Sequence, residues 1–119
     1  MTAPNIVNVA TITGKTSVLA PTTTPTDIIS NSAGSGQLYK IDSLVISNIN
    51  GSSAGNITVS LYRSATEYRL AYQINVPANG SLVVISKDTM LYLEEGDSLR
   101  LTAGTNGYLQ AVCSYEIIS

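Results

Sequence analysis

At 119 residues the chain has the length of one domain, able to bury roughly two thirds of the surface that its unfolded form exposes. Only 12% of the residues are charged and the net charge is -2, which leaves no basic stripe for direct nucleic-acid binding and no polybasic patch for a membrane surface. With no histidine and one cysteine, His-based triads, most zinc sites and an internal disulfide are excluded, and no cofactor or metal is expected.

The first 26 residues hold eight Thr, three Pro and a single charge, Lys15. Their opening, Met-Thr-Ala-Pro-Asn, lacks the basic and apolar regions of a signal peptide, and no stretch approaches the ~18 apolar residues of a membrane span. The expectation is a soluble protein made in a cytoplasm. Residues 6–12 read as a strand, Gly14-Lys15 as a turn and Val18-Leu19 as a second short strand, before the prolines at 21 and 25 enforce an extended course. Residues 1–26 thus read as an N-terminal arm or an edge segment, and 27–119 as the main domain.

Residues 27–30 read as a short strand and 31–36 as a loop, since Gly34-Ser35-Gly36 lacks the third glycine and the following helix of a dinucleotide fingerprint. Residues 38–49 form a long strand whose phase switches near Asp42-Ser43, the signature of a bulge. Ile57, Val59 and Leu61 then alternate with polar residues, Ser64-Ala65-Thr66 turns the chain, and Tyr68, Leu70, Tyr72, Ile74 and Val76 alternate in turn, giving a hairpin with one apolar face. Residues 82–85 are continuously apolar, as in a strand buried on both faces.

In 89–103 an apolar run ends in Glu94-Glu95-Gly96-Asp97, a turn whose carboxylates are expected to face water, and Leu99, Leu101 and Ala103 alternate with Ser98, Arg100 and Thr102. Residues 109–117 alternate once more, with Cys113 among the inward positions as a small buried side chain. Asn-Gly at 50, 79 and 106 suits turns that need positive φ. The pattern is all-β: a single antiparallel β-sandwich or jelly roll of about eight to ten short strands with an extended N-terminal arm.

Chemistry is sparse. Two of the eight carboxylates could serve a glycoside hydrolase as acid and base, but there is no Trp or Phe for a sugar platform, so no enzymatic activity is expected. The acidic turn offers oxygen ligands of the kind calcium takes but lacks an EF-hand spacing, and reads as turn residues. Asn50, Asn56 and Asn79 match glycan acceptor sequences and read as turn and strand-start residues. Tyr62, Arg63, Tyr92, Arg100 and Tyr108 fall opposite the apolar phases of their strands. They are the candidate interface residues, because Tyr and Arg are enriched where proteins meet.

The C-terminal half, from Val76-Pro-Ala-Asn-Gly-Ser-Leu-Val-Val-Ile-Ser-Lys-Asp-Thr through Leu91-Tyr-Leu-Glu-Glu-Gly-Asp-Ser-Leu-Arg to the final Ser-Tyr-Glu-Ile-Ile-Ser, resembles small virion structural proteins of tailed bacteriophages, especially phages of marine bacteria. The resemblance spans about residues 38–119 and carries no catalytic motif. It implies a non-enzymatic virion component, foremost a capsid decoration or cement protein that bridges neighbouring capsid subunits, with a neck or tail component next. Its partners would be the major capsid protein or other virion proteins, and the chain would form a homo-oligomer, with the trimer among the arrangements such families use. A carbohydrate- or receptor-binding module is the reading from a different class.

Overall fold

The computed structural model describes residues 11–119. They form nine strands and a single 3-10 turn over Lys87–Thr89. The strands are β1 (Ile12–Leu19), β2 (Thr26–Ser30), β3 (Leu38–Asn48), β4 (Gly55–Arg63), β5 (Thr66–Val76), β6 (Ser81–Ile85), β7 (Leu91–Leu93), β8 (Ser98–Ala103) and β9 (Leu109–Ile118). Sheet A has the order β1-β9-β3-β6, with β7 also paired to β3; sheet B has the order β2-β8-β4-β5. Every pairing is antiparallel. Setting the three-residue β7 aside, consecutive strands cross from sheet to sheet except at the β4–β5 hairpin within sheet B, which is the jelly-roll order.

The core lies between the sheets and is filled by the inward phase of each strand. Sheet A contributes Ile41, Leu44, Ile46 and Ile85, and sheet B contributes Ile57, Val59, Leu99 and Leu101, all essentially without solvent contact. Cys113 is buried among them. Burial, with a smaller contribution from the charge of Asp42, pushes its thiol up to about 12, so it is an inert apolar filler. Tyr39 and Tyr115 stack with centroids 5.7 Å apart and pack against this core.

Two buried asparagines pin the loops at the margins of the core. Asn31 donates from Nδ2 to the carbonyls of Gln37 and Leu93, and Asn48 donates to those of Ser53 and Val76. A buried amide held by two carbonyls has little freedom to move, because each lost bond leaves an orphaned polar group.

The bulge expected near Asp42-Ser43 is present as a register shift between Ile41 and Ser43. Four expectations are corrected. Gly14-Lys15 is not a turn: β1 runs straight through it, held to β9 over eight consecutive positions. Residues 12–19 are therefore an edge strand of the sandwich, while the strand expected before residue 11 lies outside the described residues. The apolar phase of β5 is not one face. Register shifts around Val59 put Ile74, Ala71 and Tyr68 opposite Ile57, Val59 and Leu61, so the positions paired with core residues are spaced by three, Leu70 and Tyr72 fall out of phase with them, and even Tyr68 and Ile74 stay exposed on this edge strand. Gln73, at φ 48°, sits within this irregular stretch. Residues 82–85 are not buried on both faces, because β6 is a sheet edge with Val83 largely exposed. Finally, the Asn-Gly pairs reach positive φ at Asn79 and Gly107 but not at Asn50-Gly51, whereas Ser64 and Ala65 both do so in the β4–β5 turn.

Candidate interaction face

The outward side of sheet B is built by the residues that alternate with its core positions. Since Val59 and Leu101 point inward, Ser60 and Arg100 point outward, and direct pairing places Asp27, Arg100, Ser60 and Arg69 in one row across β2, β8, β4 and β5. The adjacent row is Ser30, Ser98, Tyr62 and Glu67. Ser30 and Ser98 share a hydroxyl hydrogen bond of 3.0 Å.

Arg100 is held from two directions. Its Nε donates to Asp27 Oδ1 at 2.9 Å, and its guanidinium lies 3.7 Å from the centre of the Tyr62 ring. Burial works against the charged form, but the hydrogen bond and charge of Asp27 outweigh it and the pKa is raised, so the cation is fixed in place. On the same sheet Arg69 stands 5.1 Å over the Tyr72 ring and 3.9 Å from Glu67 Oε1. Ser60, the small residue between the two arginines, has no solvent contact at all. The face therefore presents two arginine–tyrosine stacks, one of them ordered by a carboxylate.

The structure brings together two of the five sequence-predicted interface residues, Tyr62 and Arg100. Arg63 lies at the end of β4 and is committed to the acidic turn: Nε and Nη2 donate to the two oxygens of Asp97 at 2.8 and 2.6 Å, and Nη2 also donates to Glu94 Oε2 at 2.8 Å. The hydrogen bond to Asp97, opposed by burial and aided by the charges of Asp97 and Glu94, raises the Arg63 pKa above its ordinary value. Tyr92 is on β7 in sheet A, opposite Lys40. Tyr108 lies at the other end of the sandwich, against Gly55 at the start of β4, roughly 26 Å from Arg63 at strand rise.

The acidic turn is also corrected. Its carboxylates do not simply face water: Asp97 is only 2% exposed, also accepts from the Glu94 amide at 2.8 Å, and Glu95 accepts from the Gly36 amide at 3.0 Å. Gly96, at φ 88°, makes the reversal that aims Asp97 back at Arg63. Among the described residues no three acidic or thiol side chains converge as metal ligands would.

Sequence reasoning missed Asp27, Glu67, Arg69 and Tyr72 as members of the face. Only strand pairing places Asp27, distant by 73 residues, against Arg100.

No protein family and no curated protein matches the chain. Among solved structures it is similar to a chain from Bacillus endospore appendages, described as a novel family of disulfide-linked pili. That match has 15% identity and a TM-score of 0.49, covering 91% of this chain and 87% of that one.

Proposed function

We propose that the protein is a non-enzymatic structural subunit of an assembled particle, and specifically a decoration or cement protein that binds the head of a tailed phage and bridges neighbouring capsid subunits. The observation that carries the reading is the ordered Asp27–Arg100–Tyr62 stack on the outward side of sheet B. An arginine already fixed over an aromatic ring loses little side-chain freedom on docking, and such pairs are where binding energy concentrates. The low charge supports it as well: Asp27, Asp42, Glu67, Glu94, Glu95, Asp97 and Glu116 are each engaged by a cation or a backbone amide of the chain itself. That leaves little residual chemistry for catalysis and little repulsion between packed copies.

The finer assignment to a phage head rests on the resemblance of residues 38–119. The chain would be made in the host cytoplasm and end in the virion, as a homo-oligomer in contact with the major capsid protein. Quantitative mass spectrometry of purified particles tests this. Copies in proportion to the major capsid protein place it on the head, a small fixed number places it at the neck or tail, and absence from particles overturns the reading. Arg100→Ala and Tyr62→Ala are each expected to lower occupancy on particles at least about tenfold, the loss of a single hot-spot side chain.

A further inference from the structure

The outward side of sheet A takes no part in the arginine–tyrosine surface. Val18 of β1 pairs with Val112 of β9, Val112 with Val45 of β3, and Val45 with Val83 of β6, so four valines stand in one row across the sheet. They face outward because their neighbours along β3 and β9, Leu44, Ile46, Ala111 and Cys113, belong to the core. Val18 is 71%, Val83 59% and Val112 45% exposed. The flanking rows, Thr16-Ser114-Ser43 on one side and Gln110-Ser47-Ser81 on the other, carry no charge. A groove of about 500 Å³ opens beside Val18 and Val112.

We infer that this face packs against the same face of a second copy of the chain, sheet on sheet, with the two valine rows in contact. Charge selects the occupant. The face is neutral over three rows, so its own copy meets it without burying an ion, whereas the outward side of sheet B would press Asp27, Arg100 and Arg69 onto valines.

Charge also selects the axis. Along β3 and β9 the next row beyond Ser43-Ser114 carries charge: Lys40, Asp42 and Glu116 cluster there, with Lys40 Nζ 3.7 Å from each carboxylate. One cation and two carboxylates leave this cluster at a net -1. A two-fold axis along the strands would superpose the clusters of the two copies. An axis along the valine row sets each cluster over the neutral Ser47-Ser81 end of its partner, and brings each valine near its own counterpart.

Area sets the strength. Four strands at about 4.8 Å and three rows at about 6.7 Å give a footprint of roughly 400 Å² per copy, half of the ~800 Å² per partner in a stable interface. The pair is therefore weak in free solution and becomes effective when other contacts hold copies side by side.

Sedimentation velocity on the full chain between about 10 μM and about 1 mM, the range in which an interface of this size associates, is the test. The expected result is a concentration-dependent dimer, weakened at least about tenfold by Val83→Thr with Val112→Thr, which keeps the branched shape and the melting temperature. Independently, Val112→Cys should form a disulfide-linked dimer on mild oxidation while Thr102→Cys, on the outward side of sheet B, does not; buried Cys113 does not compete. A wild-type chain that stays monomeric to the top of the range, a threonine variant that associates as tightly, or equal cross-linking of the two cysteine variants overturns the pairing. None of these bears on the copy number in particles, so the two readings fail separately.

Discussion

Two sheets that share one core turn opposite surfaces to water. Sheet B shows ion pairs, hydroxyls and arginine–tyrosine stacks, and sheet A shows four valines in register between rows of Ser, Thr and Gln. Their inward faces are equally apolar, so folding does not require the difference. What it teaches is that the outward faces are free to differ in what they offer: sheet B holds its polar groups in order, and sheet A sets three neutral rows beside a single ion cluster.

The comparison breaks hardest at Arg63. Glu94–Asp97 is the corner where the chain passes from β7 in sheet A to β8 in sheet B, and Arg63 of sheet B holds it. Arg63→Ala leaves the buried Asp97 carboxylate with the Glu94 amide, and a loss of about 3 kcal/mol is expected in urea unfolding. A loss under 1 kcal/mol, on the order of an exposed ion pair, would mean the corner needs no such tie.

Strand β9 carries the next test, with Val112 outward and Cys113 inward. The folded thiol titrates near 12 against 9.0 for the ordinary group, so the unfolded chain releases its proton first as pH rises. Stability from this residue is whole below pH 9 and is lost as pH climbs toward 12. At about pH 10.5 the loss is about 2 kcal/mol, and burial of Tyr115, whose pKa is also raised, acts in the same direction. Cys113→Ala should remove the larger part of that alkaline slope in melting experiments at pH 7, 9 and 10.5; a variant with the full slope would assign it to the tyrosines.

Arg100→Ala should cost the fold about 1 kcal/mol through the lost Tyr62 stack and Asp27 pair, and about half of that should vanish at high salt as the ion pair is screened. Smallest of all is Val83→Thr, under about 0.5 kcal/mol by thermal melting, since the side chain is exposed on an edge strand. A larger cost there would mean that the valine row stabilises the monomer rather than an interface.

Much of the architecture is legible in the sequence because strand periodicity is a local signal. The alternation around Leu99-Leu101-Ala103 and Ile57-Val59-Leu61 marks the two buried strands at the centre of sheet B, and turn residues mark their ends. What is not legible depends on pairing. Gly14-Lys15 has turn composition, but β9 supplies backbone partners on one side of β1 and carries it straight through. Tyr68-Leu70-Tyr72-Ile74 alternates in sequence, yet its register against β4 slips twice. Tyr62 and Arg100 are recognisable by type, but Asp27 joins them only through β2–β8 pairing, and the valine row exists only once four strands distant in sequence are aligned. Asp97 reads as a turn residue because its partner, Arg63, lies 34 positions away.

The irregular β5 also bears on solubility. It is the outermost strand of sheet B, eleven residues long, and it exposes Tyr68, Leu70, Tyr72 and Ile74, the composition of a segment prone to recruit other strands into fibrils. A recruited strand must find evenly spaced donors and acceptors, and the slips around Val59, with the left-handed Gln73 beside them, spoil that spacing. At high concentration the chain thus keeps its stickiest edge unreadable to the strands of other copies, and the risk of open-ended growth along that edge falls.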